Sequence, residues 1–435
     1  MAGPAFRAPR GTRDWFPEDL VIARFLEETA RATARAYRYA EVRPPLLEET
    51  RLYTRSLGET SDVVSKEMFT VPSRADEGVT YTFRPEGTAG VARAYVEGGY
   101  PARAPFQKWY YVGPMFRYER PQKGRERQFT QFGVEAFGSA SPRLDAEVVD
   151  LACAYFERLG LEGELQVRLN TMGDSADRER WRDALAAYFA PQLARRCEDC
   201  RARFQRNVFR LLDCKVEACR QLNASAPSVR AALGPESAAH FAAVVAALQR
   251  LGRSVVDDPA MVRGLDYYTR TVFEVHFPPL GARSALCGGG RYDNLVSEVG
   301  GPVTPAVGFA AGFTATELAL AELGRPDPAR LERFRTELGA NVYLVAIGTE
   351  DRDEVFRLAG ELRAAGVSGV DLDYRDKSSK AQFKEADRLG ARLVVVIGPE
   401  ERSRNRAVVR DMQSGTEENV ARTGVVPRLQ EVLQP

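Results

Sequence analysis

Apolar residues recur at helical spacing from about Glu18 to Tyr39, where Leu20, Ala23, Phe25, Ala30 and Ala34 stand among Arg and Glu, and this predicts an amphipathic helix. The run AEVRPPLLEE that follows is strand-like, but Pro44 and Pro45 break it into extended, edge-like backbone. Thr80 to Arg84 alternates as a strand does. KWYYVGPMFRYE and RQFTQFGVEAFG are two β-rich runs joined by the polar loop RPQKGRER, which predicts a strand pair with a long basic connection. Helices are predicted over Asp145–Leu159, Ala176–Ala190 and Ser237–Arg250, and strands over Glu164–Asn170 and RTVFEVHF.

After Leu323 the texture changes. GRPDPARLERFRTELG reads as a linker with a short helix. Beyond it NVYLVAIG, VSGVDLDY and ARLVVVIG are strand runs that alternate with helical patterns over Glu350–Ala365, Lys380–Leu389 and a last helix near Val426. A β-α-β-α-β order predicts a small α/β domain with a largely parallel sheet, whereas everything before Leu323 reads as antiparallel sheet flanked by helices.

Composition narrows the class. With 435 residues, 44% hydrophobic and 28% charged, the chain is expected to form two or three globular domains. No apolar run approaches a membrane span, and MAGPAFRAPRGTRDWF lacks the apolar stretch of a signal peptide, so a cytoplasmic protein is expected. A net charge of +1 neither supports nor excludes an RNA partner, which needs local basic clusters rather than bulk charge. The two histidines, His240 and His276, exclude a His-rich metal site and leave little room for a Ser-His-Asp hydrolase.

Four segments carry candidate chemistry. FRYERPQKGRERQF holds Arg117, Arg120, Lys123, Arg125 and Arg127 with two acids, a loop able to wrap a triphosphate or an RNA end; a solvated hairpin tip is the plain alternative. In TFRPEGTAG, Glu86 can pair with an ammonium group and Thr88 can add a hydrogen bond, or the acid can simply cap a helix. MVRGLDYYTRTVFE gathers Arg263, Asp266, Tyr267 and Tyr268 around one glycine, as a carboxylate or phosphate pocket or as a core strand with an exposed arginine. In CGGGRYDNLV, Gly288 to Gly290 permit close approach to a ligand or form a turn, and they do not match a dinucleotide-binding spacing. Separately, Cys197-x2-Cys200 and Cys214-x4-Cys219 have spacing near that of structural zinc sites, with four free thiols on a helical insertion as the alternative. Cys153 and Cys287 are expected to pack singly.

RGTRDWFPED, TFRPEGTAG, FRYERPQKGRERQF, RGLDYYTRTVFE and GGRYDNLV, in that order and over nearly the whole chain, resemble the signatures of the histidyl-tRNA synthetase family. AEVRPPLLEE resembles class II motif 1, which builds a dimer interface, and FRYE through VEAFG resembles motif 2. The fold implied is an α+β class II synthetase core, an antiparallel sheet flanked by helices, with a C-terminal α/β anticodon-binding domain. The implied boundaries are 1–325 for the core, with an insertion at about 170–255, a linker at 326–340 and the anticodon-binding domain at 341–435.

The resemblance implies that Glu86, Thr88, Gln131 and Glu135 hold the α-amino group of histidine, with Gly87 in the same set. Tyr268 and Tyr292 would read the imidazole, and Tyr267 would line the pocket. Arg117 would bind the α-phosphate and the substrate carboxylate, Arg263 would add a second positive charge there, Arg125 would reach the outer phosphates, and Glu119 would sit beside ATP. Arg117 and Arg263 are thus the implied catalytic pair. The implied partners are L-histidine, ATP with Mg2+ and tRNA(His), in a homodimer, with no DNA and no membrane; a structural Zn2+ would add to these if the four cysteines bind it. Arg375, Lys377, Lys380 and Lys384, near one strand-to-helix turn, are a candidate RNA contact or a solvated helix face.

Two positions depart from the family pattern. Thr130 stands where the family usually has His, with Gln131 and Glu135 retained beside it. PAVGFAAGFTATELAL matches motif 3 through Gly312, but Ala315 occupies the place of the arginine that clamps the γ-phosphate. Losing such a charge-assisted contact costs about 1.5–3 kcal/mol. The competing expectation is a weakened histidine-binding paralogue acting as a sensor or regulatory subunit, like that of ATP phosphoribosyltransferase. That subunit typically lacks the C-terminal domain, and RGLDYY together with residues 340–435 favours the synthetase.

Overall fold

The N-terminal amphipathic pattern folds as helix α1 (Pro17–Ala36), with Glu18 and Asp19 in its first turn and Arg35 in its last, both favourable to the helix dipole. It ends before Tyr39 because Arg38 takes φ +62° and the Tyr39 N–H turns back to the Ala34 carbonyl at 2.9 Å. The computed structural model describes residues 6–58, 61, 63–119, 126–212, 214–262, 267–324, 326, 328–336 and 339–433. The chain divides into two units, Met1–Asp14 with Leu26–Pro326 and Trp15–Phe25 with Asp327–Pro435.

In the first unit, β1 (Ala40–Glu41) and β2 (Leu47–Glu49) lie on either side of Pro44 and Pro45. Helix α2 (Thr50–Leu57), β3 (Phe69–Pro72) and β4 (Thr80–Phe83) follow, and β2, β4 and β3 form a small antiparallel sheet. Helices α3 (Thr88–Glu97) and α4 (Tyr100–Arg103) then lead to the expected strand pair, β5 (Gln107–Phe116) and β6 (Gln128–Phe137). The two are antiparallel and in register from Gln107↔Phe137 to Phe116↔Gln128. After helix α5 (Pro142–Arg158) and β7 (Gln166–Thr171) comes a helical stretch: α6 (Ser175–Phe189), α7 (Glu198–Arg206), α8 (Glu217–Asn223) and α9 (Pro235–Arg250). Strands β8 (Val255–Asp257), β9 (Thr269–His276) and β10 (Ala285–Arg291), helix α10 (Leu295–Glu298), β11 (Ala306–Gly312) and helix α11 (Phe313–Glu322) complete the unit.

The large sheet runs β1-β5-β6-β11-β10-β9-β7-β8, antiparallel except for β1–β5 and β7–β8. Side chains alternate between its faces. Tyr110, Phe132, Val134, Val307, Phe309, Phe273 and Val275 share one face, all buried, and helices α5, α9 and α11 pack on the sheet. Helix α5 suits this role: Ser141 caps it by accepting the Arg143 N–H at 3.3 Å, Pro142 opens it, and Val148, Ala152, Tyr155 and Phe156 are buried. Each aromatic or branched side chain so buried contributes roughly 1.5–3 kcal/mol. The opposite face is lined by small residues along β11 and β10, at Gly308, Ala310 and Gly312 and at Gly288 and Gly290. Gly288, Gly289 and Gly290, read from sequence as a possible turn, lie inside β10 and pair with Ala310, Phe309 and Gly308 of β11 in that order.

The second unit holds α12 (Pro328–Thr336), β12 (Val342–Ala346), α13 (Asp351–Ala364), β13 (Val370–Leu372), α14 (Ser379–Arg388), β14 (Leu393–Ile397), α15 (Pro399–Ser403), β15 (Arg406–Asp411), β16 (Glu417–Ala421) and α16 (Val425–Leu433). Its sheet runs β13-β12-β14-β15-β16, parallel over the first three strands as the alternating pattern predicts. The antiparallel pair β15–β16 was not apparent in the sequence. Only Ala407 and Val409 of β15 are buried, while Arg410 pairs with Glu417 across the hairpin, so charge masks the strand signal.

Candidate active site

The site is built on the face of the large sheet opposite helices α5, α9 and α11, between the sheet and the start of α3. Residues opposed in register share a face, so Gln131, Gly133 and Glu135 of β6 stand beside Gly113, Tyr111 and Trp109 of β5 and beside Gly312, Ala310 and Gly308 of β11. The glycines are space. A Cβ on Gly133 or on Gly87 would overlap the Tyr111 ring, and one on Gly308 would overlap the Glu135 carboxylate. A Cβ on Gly113 would meet the Arg84 guanidinium. Arg84 donates to the Pro114 carbonyl and to the Pro44 carbonyl, both at 2.9 Å, and so joins the β5 end to the segment before β2.

Two carboxylates face each other here. Glu86 accepts the N–H groups of Thr88 at 2.7 Å and Ala89 at 3.0 Å, so it does cap α3, the plainer of its two expected roles. Thr88 donates its hydroxyl to Glu135 at 2.7 Å, and Tyr292 donates to the other Glu135 oxygen. Burial raises the pKa of both acids. The backbone donors of α3 oppose this for Glu86, while the Glu135 carboxyl is pushed up to about 8, against the hydrogen bonds from Tyr292 and Thr88. Gln131 Oε1 is buried and has no hydrogen-bond partner among the described residues. A buried acceptor without a partner, on the same face as a desolvated acid, suits a cation with several N–H donors.

Aromatic walls stand close by. Tyr267 packs against Tyr268 with ring centroids 4.6 Å apart and edge-on to Tyr292 at 5.5 Å; all three are buried. Tyr292 is held by its neighbour. Arg291 and Asp145 are each 0% exposed and form a two-pronged ion pair, and Arg291 also binds Asp293 at 3.1 Å and the Ser139 carbonyl at 2.9 Å. This ties β10 to the N-terminal turn of α5.

Beside this pocket a cleft of about 380 Å3 is lined by Arg117, Glu119, Glu126, Phe129, Gln131, Gly288, Thr314 and Ala315, among others. Arg117 Nε is anchored on the carbonyl of Pro85, the residue before Glu86, at 2.9 Å, and its charge acts on the Glu86 carboxylate. At the Ala315 end, Thr314 donates to Glu126 at 3.2 Å, and Arg13 pairs with Glu126 at 3.2 Å and with Glu317 at 3.0 Å. The structure thus brings together Glu86, Gly87, Thr88, Gln131, Glu135, Tyr267, Tyr268 and Tyr292 around the pocket, with Arg117 and Glu119 on the cleft. Arg125 and Arg263, expected at the phosphates, lie outside the described residues, as do Arg120, Lys123 and Asp266.

Sequence reasoning missed Tyr111, Arg84, Asp145 and Arg13. Tyr111 was readable in principle, since its period-two position on β5 matches the face of Gln131 and Glu135, but that needs the register. Asp145 and Arg13 carried no local signal. Apart from the cleft, the four Sγ atoms of Cys197, Cys200, Cys214 and Cys219 lie within 4.8 Å of one another.

Comparison with known proteins gives consistent matches. A family profile described as "Histidyl-tRNA synthetase" matches residues 11–315, and one described as "Anticodon binding domain" matches residues 341–432. The chain is 46% identical over 418 residues to "Histidine--tRNA ligase" of Moorella thermoacetica, with 96% of each chain covered. It is 43% identical over 420 residues to the Bacillus subtilis protein of the same name, again with 96% of each covered. Among solved structures, apo S. aureus histidyl-tRNA synthetase superposes with a TM-score of 0.79 at 34% identity, covering 98% of this chain and 100% of that one. A Bacillus halodurans C structure titled as an ATP phosphoribosyltransferase regulatory subunit/histidyl-tRNA synthetase shares the fold, with a TM-score of 0.63 at 22% identity over 91% of this chain and 99% of that one.

Proposed function

The chain belongs to the histidyl-tRNA synthetase family and is a class II histidine–tRNA ligase, and on that premise we propose how its residues divide the work. Glu86, Thr88, Gln131 and Glu135 take the α-ammonium group of L-histidine, and Tyr268 and Tyr292 read the imidazole, with Tyr267 as a wall. The observation that carries this assignment is Glu135, a buried acid in hydrogen-bond contact with both Thr88 and Tyr292, on the same strand face as the open Gln131 acceptor. A pocket of this kind rejects isosteres without the matching donors, because its own buried groups would be left unpaired.

The reaction follows from position and charge. The histidine carboxylate attacks the α-phosphorus of ATP in line, pyrophosphate leaves, and the histidyl group then passes to the 3′ end of tRNA. Arg117, held on the Pro85 carbonyl, is assigned to the α-phosphate and the attacking carboxylate, and Arg263 and Arg125 are assigned to the same charge. Glu119 and Glu126 offer hard oxygen donors on the cleft, which suits Mg2+, and a bound Mg2+ would neutralise the polyphosphate. Arg13 takes the part of the arginine that Ala315 replaces: its guanidinium sits on Glu126 and Glu317, at the Ala315 end of the cleft. No nucleophilic side chain is needed, so orientation and electrostatics supply the acceleration.

The remaining assignments belong to the same reading. Residues 1–325 form the catalytic domain, 326–340 the linker and 341–435 the anticodon-binding domain. There, exposed Tyr374 stands beside Arg375, Lys377, Lys380 and Lys384, an aromatic-basic combination suited to RNA bases and phosphates. Leu46 and Leu47, each 42% exposed, place apolar surface on the motif 1 segment, as a homodimer interface requires. Among the described residues no helix is long and apolar enough to cross a membrane, and the assigned compartment is the cytoplasm.

The test is ATP–pyrophosphate exchange with each of the twenty amino acids. Exchange with histidine alone is expected. Histidine binding without exchange would replace this reading with the regulatory paralogue, which Ala315 favours; no response to histidine at all would sink both.

A further inference from the structure

We propose that Cys197, Cys200, Cys214 and Cys219 form a structural zinc site that staples the insertion between β7 and β8. The case is geometric. Tetrahedral Zn2+ with Zn–S bonds near 2.3 Å places its sulfurs about 3.8 Å apart. Cys197 Sγ and Cys214 Sγ are 3.8 Å apart, and all four Sγ atoms lie within 4.8 Å of one another. None of the six cysteines is in a disulfide. Four thiols buried only as small apolar side chains would point at different neighbours. Here they converge on one point from separate segments: the cap of α7, its first turn, the loop after residue 212, and α8.

The surroundings match a ligand set rather than a reactive centre. Cys200, Cys214 and Cys219 are buried, and the Cys197 N–H donates to Cys219 Sγ at 3.4 Å, a bond of the kind that orients thiolate ligands. Arg196, next to Cys197, is itself buried. It donates to the Asn223 side-chain Oδ1 at 2.9 Å and lies over the Phe189 ring, no carboxylate pairs with it among the described residues, and its Nε has no partner there. A buried cation without an acid is in keeping with a doubly negative tetrathiolate metal centre nearby. Four protein ligands leave no open position, so the site holds structure and does no chemistry.

The insertion needs such a staple. Helices α7 and α8 have nine and seven residues, too short to be stable alone. Binding is written Zn2+ + 4 Cys–SH → [Zn(Cys–S)4]2− + 4 H+, with no redox change.

The experiment uses the full-length protein purified without chelators. Elemental analysis is expected to find one zinc per chain, and a chromogenic thiol reagent is expected to leave the four cluster thiols unreacted until the metal is withdrawn. Growth with Co2+ should give the intense sulfur-to-cobalt charge-transfer absorption of a tetrahedral thiolate site. Cys214→Ser should lower the metal content from one to near zero, while Cys153→Ser, outside the cluster, should leave it at one. If Cys214→Ser fails to fold, the cobalt spectrum of the parent decides. No zinc, no cobalt charge-transfer band and four freely reacting thiols would overturn the proposal.

Discussion

Charging Glu135 in the empty pocket works against burial, and the change Glu135→Gln isolates that opposition. Its carboxyl moves from a reference near 4.5 to about 8, so at pH 7 the unliganded protein holds it about nine-tenths protonated. An arriving ammonium group reverses the balance, because an opposite charge within hydrogen-bond reach favours the carboxylate. Histidine binding at pH 7 should therefore expel roughly 0.9 of a proton from this group, plus whatever Glu86 contributes. Calorimetry in buffers of different ionisation enthalpy reads that number as a slope. Glu135→Gln should reduce the slope by nearly that amount and weaken binding roughly 10- to 150-fold, the range for one charged hydrogen bond. Stability must follow with a definite sign. A pKa raised by folding gives stability that is intact below pH 4.5 and lost as pH rises to about 8, on the order of 5 kcal/mol over the window and about 3 by pH 7. The empty Gln variant should lack this decline and melt at least as high as the parent at pH 8. Parent enthalpies that do not depend on buffer, or an unchanged slope in the variant, would show that Glu135 is already charged in the empty site and refute the argument.

Other perturbations separate the remaining parts. Arg291→Met leaves Asp145 buried without its partner, so unfolding free energy should fall by about 3–5 kcal/mol in a denaturant titration; a loss under 1 kcal/mol would mean that water reaches Asp145. Arg13→Ala should lower kcat/KM for ATP by roughly 10- to 100-fold with histidine affinity unchanged, and adding Ala315→Arg should restore much of it. Equal losses for both substrates would assign Arg13 to folding instead. Tyr374→Ala should raise the KM for tRNA in aminoacylation several-fold and leave pyrophosphate exchange untouched; no change in either would move the RNA contact away from this turn.

The parts of this molecule legible from sequence are those whose signal is local. The β5–β6 pair announced itself through two β-rich runs around one basic loop, and the parallel strands β12, β13 and β14 through their alternation with helices. Glu86 and Glu135 were legible through motif resemblance, but their contact through Thr88 is a product of sheet register. Arg13 lies about 300 residues from Glu317, and Arg291 lies about 150 from Asp145, separations at which no spacing rule operates. Tyr111 stood inside an apolar run, KWYYVGPMF, in which either face was open to each residue until β6 was set beside it. The cysteine spacing leaves a zinc site and four free thiols both open, and the meeting of the four sulfurs depends on how the short helices fold back.

The glycines packed under Tyr111 and Glu135 have a consequence for redesign. Gly87, Gly133 and Gly308 already carry the smallest side chain available, and every replacement adds an atom where Tyr111 or Glu135 stands. From below, the site can change in one direction only, towards smaller. Any variant meant to accept a bulkier ligand must be carved from the tyrosine walls, at Tyr267, Tyr268 or Tyr292, and each such cut removes a group to which the proposed reading assigns the pocket's selectivity.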